Sequence, residues 1–500
     1  MGLQTYRKNI QSLKLISDDE GKQIQNSTLH VLEKTGVVFQ NQRALELLAE
    51  HGCFVDFKKN KVRFPETVVG EHLITVPKRI QIKARIPNYD IELTSDHLCF
   101  FNQFGMETVD LHSGEPRQPT RKEFYEFVKV LDALPSVHGL ITPWFGFSDV
   151  PQAMRYLESN AALIRMSPKA KGMIEILGNG PWNREIAKVV GTDPIGYVGT
   201  LSPLAYSDES VSQIFSYCEN GIPFEIDSGS ISGATSPVTI AGSIVSGNAE
   251  IIAGMVLTQI IKKGHPVWPG NFIFAQNMRT GAPSFRAITN SMLDSVYNQV
   301  WQDYGFPVAS STSITNSKMI DFQAGHEAAQ GVTLSALSGA NCIFFHGAVS
   351  QQLTEHPVKA ILDDDVIRRV GRFLEGVEVC QETMAEEVID HVGNVPGTYL
   401  TSKHTHKWFR HELCFSEVAD ESIYDNWIKS GKKNTLRLAM DKVEDILANH
   451  KPISLTNRHE QEIENILKDA RNYYRKNGLI KDDEWHLYQK SLALDTYPFA

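Results

Sequence analysis

The sequence predicts an α/β protein built on a closed parallel (β/α)8 TIM barrel, and three observations predict it. Between residues 99 and 378 strand-like and helix-like segments alternate eight times, with no element left over. The strand-like segments are short apolar or β-branched runs. Each is parted from the next by a helix-length stretch, as right-handed parallel crossovers require. An open doubly wound sheet is the competing arrangement.

Taken in order, the predicted strands cover 99–105, 137–144, 172–177, 195–200, 222–227, 266–271, 307–311 and 340–346. Predicted helices follow at 121–134, 151–164, 183–190, 207–219, 240–263, 285–304, 321–337 and 363–374, the third being the least marked. Thr120 stands one residue before the first of these helices, and Glu123 three positions on completes a capping box. The fifth helix starts after Pro237; its Gly242, Gly247 and Gly254 lower helicity but allow close packing. Residues 1–98 form an N-terminal α+β extension packed on the barrel, with helices at 18–35 and 41–51 and strand and helix pieces at 61–75. After the barrel domain (99–378), residues 379–500 form a C-terminal helical region. Its charged amphipathic helices at 381–390, 434–449 and 459–477 read as a cap or as a means of homo-oligomerisation.

Composition removes several classes of function. A net charge of −10 argues against nucleic-acid binding, which needs a basic face. No uninterrupted apolar run is expected to span a membrane, and the first fourteen residues lack a signal peptide's apolar stretch, so a cytoplasmic protein is expected. Six scattered cysteines without a C-x-x-C pair are expected to be small core hydrophobes rather than disulfide partners or metal ligands.

In a barrel of this type chemistry sits in the segments after the strands. Here those segments are rich in aromatic and small polar residues and poor in acid–base pairs. An H-x-H at the end of the first strand, a phosphate loop and a nucleophile elbow are all missing from the sequence. Aromatic rings at a barrel mouth suit a methylated cation, which has no N–H to donate and is held by ring faces at about 0.5–2 kcal/mol per contact. Phe104, Trp144, Phe145, Phe147, Phe272 and Phe274 are the candidate rings, each also suited to a place in the core. Arg279 is a candidate for an anionic end of the ligand, or else for an ion pair with Asp321 or Glu327; His346, last on the eighth strand, faces either ligand or a backbone neighbour. Thr235 and Ser236 either help hold a ligand or begin the fifth helix. Few carboxylates are expected near the ligand nitrogen, with Glu225 and Asp227 as possible exceptions or partners of barrel cations. His404, His406 and His411 lack the spacing of a zinc set.

The stretches Gly233–Gly242, Asn248-Ala249-Glu250, Met278–Pro283, Asp321–Glu327, Ser338–Asn341, Leu131–Pro135 and Lys403–Thr405 closely resemble the trimethylamine:corrinoid methyltransferase superfamily, from about residue 28 to residue 452. The resemblance implies a (β/α)8 barrel. Archaeal trimethylamine enzymes of that superfamily carry pyrrolysine in the barrel, whereas this chain has only standard residues and resembles the non-pyrrolysine branch. That branch demethylates quaternary amines such as glycine betaine, proline betaine or carnitine and passes the methyl group to the cobalt of a separate corrinoid protein. The resemblance therefore implies a methyltransferase for a small quaternary amine, glycine betaine first, with a cognate corrinoid protein as partner, no tightly bound cofactor and no metal of its own. Such a reaction needs no general acid or base, because a quaternary nitrogen departs as a neutral amine. The alternatives are a methyltransferase for another betaine or for a tertiary methylamine and, from other classes, a quaternary-amine sensor without catalysis or a metal-dependent barrel hydrolase.

Overall fold

The computed structural model describes every residue except 1–2, 4–5, 145–149, 174, 176–177, 286, 312–313 and 494–500. Eight strands run parallel in chain order: β1 (His97–Asn102), β2 (Gly139–Leu140), β3 (Ala170–Gly172), β4 (Pro194–Gly199), β5 (Phe224–Ser228), β6 (Val267–Asn271), β7 (Ala309–Ser310) and β8 (Cys342–His346). The sheet closes, because β8 pairs back onto β1 with Cys342 opposite Cys99 and Phe344 opposite Phe101. Closure rules out the open doubly wound sheet. It also leaves no unpaired edge among the barrel strands.

Around the barrel lie α1 (Arg121–Ala133), α2 (Gln152–Met166), α3 (Gly180–Val190), α4 (Asp208–Asn220), α5 (Ile240–Ile261), α6 (Ile288–Tyr304), α7 (Phe322–Ser338) and α8 (Pro357–Leu374). Their starts follow local chemistry. The Thr120 hydroxyl accepts the Glu123 N–H while the Glu123 carboxylate accepts the Thr120 N–H, so the capping box forms. Asn179 precedes α3, Pro181 lies in its first turn and Gly191 ends it in the left-handed conformation. Helix α8 begins at Pro357, six residues before the predicted start, because the chain after β8 first doubles back through Ala348–Val349 and Thr354–Glu355.

Helix α5 corrects the expectation about apolar length. Its 22 residues are long and apolar enough to cross a membrane, the scattered Gly, Ser and Asn notwithstanding. In this fold it is a core helix, with residues 246–259 buried without a break. Glycine explains how closely it packs: a methyl at Gly254 would overlap the Tyr206 ring. The Glu250 carboxylate accepts from Thr200, Ser202 and Ser228 hydroxyls at 2.6, 2.8 and 2.9 Å and from the Leu204 N–H at 2.8 Å. The Asn248-Ala249-Glu250 motif thus ties α5 to the ends of β4 and β5.

The N-terminal segment contributes in two places. Tyr6–Arg7 pairs antiparallel with His97–Leu98. A hairpin of Ile80–Ile82 and Ile91–Leu93 lies across the N-terminal end of the barrel, where Ile80, Ile82, Ala84, Ile91 and Leu93 join the interior cluster of Cys99, Phe101, Ile141, Ile195 and Phe344. The barrel is therefore plugged at that end.

Beyond α8 the chain forms helices at Gln381–Met384, Glu386–Val392, Lys403–Glu412, Tyr424–Lys429, Thr435–Asn449, Asn457–Lys476 and Asp482–Leu492. The predicted 381–390 helix is broken at Ala385, which adopts a left-handed conformation. Helices Thr435–Asn449 and Asn457–Lys476 pack on the barrel helices through Ala439, Ile463 and Leu467. The four shorter ones before them bury none of their residues. Four cysteines are buried, but Cys414 is exposed, contrary to the expectation that all are core hydrophobes.

Candidate active site

Side chains alternate along β5, so Glu225 and Asp227 share a face, and that face is the barrel lumen. Register places Tyr197 of β4 and Trp268 of β6 beside Glu225, and Gly199 and Gly270 beside Asp227. The Trp268 indole N–H donates to Glu225 Oε2 at 3.0 Å. Above the plugged end, Phe344 stands edge-on to Tyr197 with ring centroids 5.8 Å apart, and Phe101 packs on Phe344 at 5.4 Å. Phe104 packs at the margin of this cluster and is half-buried, as are Tyr197 and Asp227.

Glycine makes this layer possible. A methyl on Gly270 would overlap both Asp227 Oδ1 and Glu225 Oε1, and one on Gly172 would overlap Ile141 and the Tyr197 ring. The two carboxyls converge on the space that Gly270 leaves open. Burial pushes the Glu225 carboxyl well above the ordinary carboxylate range, and the charge of Asp227 pushes it further. Burial also raises Asp227. Both carboxyls are therefore held toward their protonated forms, and the pair resists double ionisation more than two exposed carboxylates would. Among the described residues no lysine, arginine or histidine forms an ion pair with either. The expectation that they partner barrel cations is corrected: Glu225 is held by the Trp268 indole, and both carboxyls face the space at Gly270. The Tyr197 hydroxyl is buried without a hydrogen-bond partner among the described residues, an orphan donor beside the pair.

The other sequence-predicted residues divide sharply. Phe272 and Phe274 lie edge to face at 4.7 Å, and Phe285 packs on Phe274 at 4.3 Å; with Ile314 and Ala348 they form a wall beyond the strand ends. Phe274 is fully buried in that wall, whereas Phe272 is half-buried and reaches Gly229. Trp144 does not join the lumen. It turns outward and packs on Phe127 and Phe124 of α1 at 5.1 and 6.3 Å. Its place in the cage is corrected to one between sheet and helices, because at the end of β2 the outward face meets α1. Phe145 and Phe147 lie outside the described residues.

His346 is also corrected. A register shift between Phe344 and His346 turns its ring away from the lumen, so Nε2 lies 3.7 Å from Asp364 Oδ1 of α8 and the ring sits edge-on to Phe100. Arg279 is exposed at the tip of a hairpin between Phe274–Gln276 and Pro283–Ser284, far along the loop after β6. Its suggested partners are engaged elsewhere: Asp321 caps α7, and Glu327 accepts from Thr315 and the Asn316 N–H. Thr235 closes the turn after β5, its hydroxyl accepting the Ile231 N–H at 2.8 Å. Ser236 does not cap α5 but meets the Ser243 hydroxyl at 3.0 Å. His404, His406 and His411 lie on one exposed helix, and among the described residues no three His, Cys, Asp or Glu side chains converge as a metal set.

Tyr197, Trp268, Gly270 and Phe344 are among the lumen residues that sequence reasoning passed over. The Glu-x-Asp spacing on a predicted strand was the available signal, since period two puts both acids on one face.

Outward burial of Trp144 has a measurable consequence. Trp144→Ala is expected to lower stability by about 3–5 kcal/mol by leaving a cavity against α1, while folded protein keeps its amine affinity. Thermal unfolding and titration calorimetry check this; lost affinity at unchanged stability would return the ring to the site.

A closed parallel barrel plugged at one end, with two buried carboxyls among aromatic rings in its lumen, defines a (β/α)8-barrel protein with its candidate site at the strand ends. The sequence model described as trimethylamine methyltransferase (MTTB) matches residues 1–472, and the chain belongs to that family. It is a methyltransferase. It is similar to trimethylamine methyltransferase MttB of Desulfitobacterium hafniense, at 27% identity over 470 residues covering 92% of this chain and 94% of that protein. It is similar also to a glycine betaine methyltransferase of the same species, at 28% identity over 452 residues covering 88% of this chain and 94% of that protein. Among solved structures, the monomethylamine methyltransferase MtmB of Methanosarcina barkeri aligns over 93% of this chain and 96% of its own with a TM-score of 0.48 and 12% identity.

Proposed function

We propose that this methyltransferase takes a methyl group from a small methylated ammonium cation and delivers it to the cobalt of a separate corrinoid protein. The observation that carries the reading is the acid pair of Glu225 and Asp227 under the rings of Tyr197, Trp268 and Phe344, a cation site with no side-chain cation paired to it among the described residues. The relatives that act on trimethylamine and on glycine betaine support the same substrate class.

Each lumen residue has a task in such a reaction. Phe104, Tyr197 and Phe272 present ring faces that replace water around the methyl groups. Burial tempers the acid pair: carboxyls held toward protonation attract the cation without over-stabilising it relative to a transition state in which its charge is being lost. The plugged end leaves the mouth as the exit for the methyl group. The corrinoid, when docked, supplies the cobalt nucleophile.

Glycine betaine was the first expectation from sequence, with Arg279 or His346 receiving its carboxylate. With Arg279 at the surface and His346 turned outward, neither reaches the lumen, so the reading is for a methylated cation rather than for a betaine in particular.

Purified protein mixed with reduced corrinoid carrier protein and separate amines tests the reading: glycine betaine, trimethylamine, and a quaternary amine without a carboxylate. Methyl-cobalt absorbance is expected with at least one of them; amine binding without methyl transfer would establish a sensor instead. Phe104→Ala and Phe272→Ala are each expected to weaken amine binding by about 2- to 30-fold, the worth of one cation–π contact. Calorimetric titration checks this, and unchanged affinity in both variants removes those rings from the cage.

A further inference from the structure

The chain that follows α8 forms an arm without an interior. From residue 375 to residue 417 not one residue is buried, although the helices Gln381–Met384, Glu386–Val392 and Lys403–Glu412 form there. Val395 is 95% and Leu400 86% exposed, and Val377, Val379, Leu413 and Phe415 are exposed too. Helices this short gain little from their own hydrogen bonds and draw stability from a packed apolar face. The arm is tied to α8 by polar contacts, with Arg372 donating to the His411 carbonyl at 3.0 Å and to the Glu412 carboxylate at 2.9 Å.

The arm is rooted at the plugged end of the barrel. The Asn9 N–H donates to the Leu374 carbonyl at the end of α8, and Tyr6–Arg7 just before it pairs with the first residues of β1. Charge along the arm is sorted by helix. Glu386, Glu387 and Asp390 make Glu386–Val392 acidic. Lys403, His406 and Arg410, at i, i+3 and i+7, share one face of Lys403–Glu412. Among the described residues Glu386, Glu387, Asp390, Lys403 and Arg410 form no ion pair within the chain, whereas Lys407, beside that face, pairs with Glu382.

We propose that the arm is a two-fold interface with a second copy of this chain, in which the acidic helix of each copy lies on the basic helix of the other. A two-fold axis makes this self-complementary, because one surface carrying both signs supplies both contacts. Val395 and Leu400, in the segment joining the two helices, then lie between the charged contacts and are shielded from water. Two features select a second copy over a transient partner. The arm stands at the end of the barrel that the hairpin of residues 80–93 closes, remote from the strand-end site, so a partner there does not meet the reacting group. Contiguous apolar surface also needs cover in every molecule at all times, and a copy of the same chain supplies that in equal number.

Light scattering after gel filtration of the full chain reads the mass, and it does so whatever the reaction proves to be. Wild type is expected at two chains or a larger even number. The variants E386K/E387K/D390K and K403E/R410E each set like charges against one another across the interface, and each alone is expected to raise its dissociation constant about tenfold or more. An equal mixture of the two is expected to regain the wild-type mass, since each then meets its opposite. V395Q/L400Q leaves every charge in place and is expected to weaken association to a similar degree. Variants that associate as wild type does, or a mixture that stays dissociated, would overturn the proposal. So would a single-chain wild type, including one that gains mass only when corrinoid carrier protein is added.

Discussion

Removing the acid pair in the combined variant E225Q/D227N is expected to lower amine turnover by about a hundredfold or more, equivalent to about 2.7 kcal/mol. The side chains keep their size, so the loss reports charge rather than packing. The pH dependence of stability gives an independent check, and its sign follows from proton counting. Burial raises both carboxyls in the native state, so native protein keeps a proton that unfolded protein releases at about pH 4. Above that pH the native state binds more protons, and stability falls as pH rises, by up to about 1.4 kcal/mol per pH unit per retained proton, until the native pair itself ionises. The single variant E225Q loses the share of that penalty due to Glu225 and keeps the share that burial of Asp227 imposes. Its melting temperature should gain on wild type as pH rises from 5 toward 8, in scanning calorimetry. A bound cation favours the ionised pair, so amine affinity of the wild type should rise over the same interval. Parallel pH profiles for wild type and E225Q would show that Glu225 is not raised in the native state.

The second large effect belongs to a residue with no side chain. Gly270→Ala would drive a methyl into both carboxyls, and neither has room to retreat: Trp268 holds Glu225 from one side, and Asp227 lies on the same strand face. Turnover is expected to fall by at least tenfold and stability by about 1–3 kcal/mol, the usual cost of overpacking. Gly325→Ala is the contrasting control. It lies inside α7 with nothing within 4 Å of an added methyl, so it is expected to leave turnover unchanged and to stabilise by about 0.5–1 kcal/mol. Steady-state kinetics and thermal unfolding of both variants check the pair of expectations. Normal turnover in Gly270→Ala would mean that the acid pair is not needed in its present position.

Much of the architecture was legible because its signals are local. The capping box at Thr120 and Glu123 depends on residues three apart and formed as read. The eight alternating segments were visible as apolar runs separated by helical ones, and each predicted barrel segment overlaps an observed element. The boundaries that moved did so through neighbours distant in sequence. Helix α8 starts early because the hairpin after β8 pairs with Glu107–Val109 near the other end of the barrel chain. The family motifs were equally visible, yet several prove to be joints rather than chemistry: Asn248 accepts from the Trp301 indole at 2.8 Å, Glu250 gathers the ends of β4 and β5, and Asp321 caps α7.

The site was less legible, and the reason is geometric. Residue type told that rings and acids follow the strands but not which way each one points. Trp144 and Phe104 look alike as aromatic residues after neighbouring strands; one packs on α1, the other at the margin of the lumen cluster. The bulge that turns His346 toward Asp364 is a property of how β8 pairs with β1. The convergence of Glu225 and Asp227 depends on Gly270 from the next strand, forty-five positions away from Glu225 in the chain.

By itself, then, the amino-acid order determined the class of fold, the count of strands, the family and the aromatic character of the strand ends, because periodicity, capping and composition act over a few neighbouring residues. Tertiary structure alone decided which side chains enter the lumen, that two acids converge there on the space Gly270 leaves, and that one end of the barrel is plugged. Those outcomes turn on strand register and on glycine-sized gaps between segments far apart in the chain, and no local pattern encodes them.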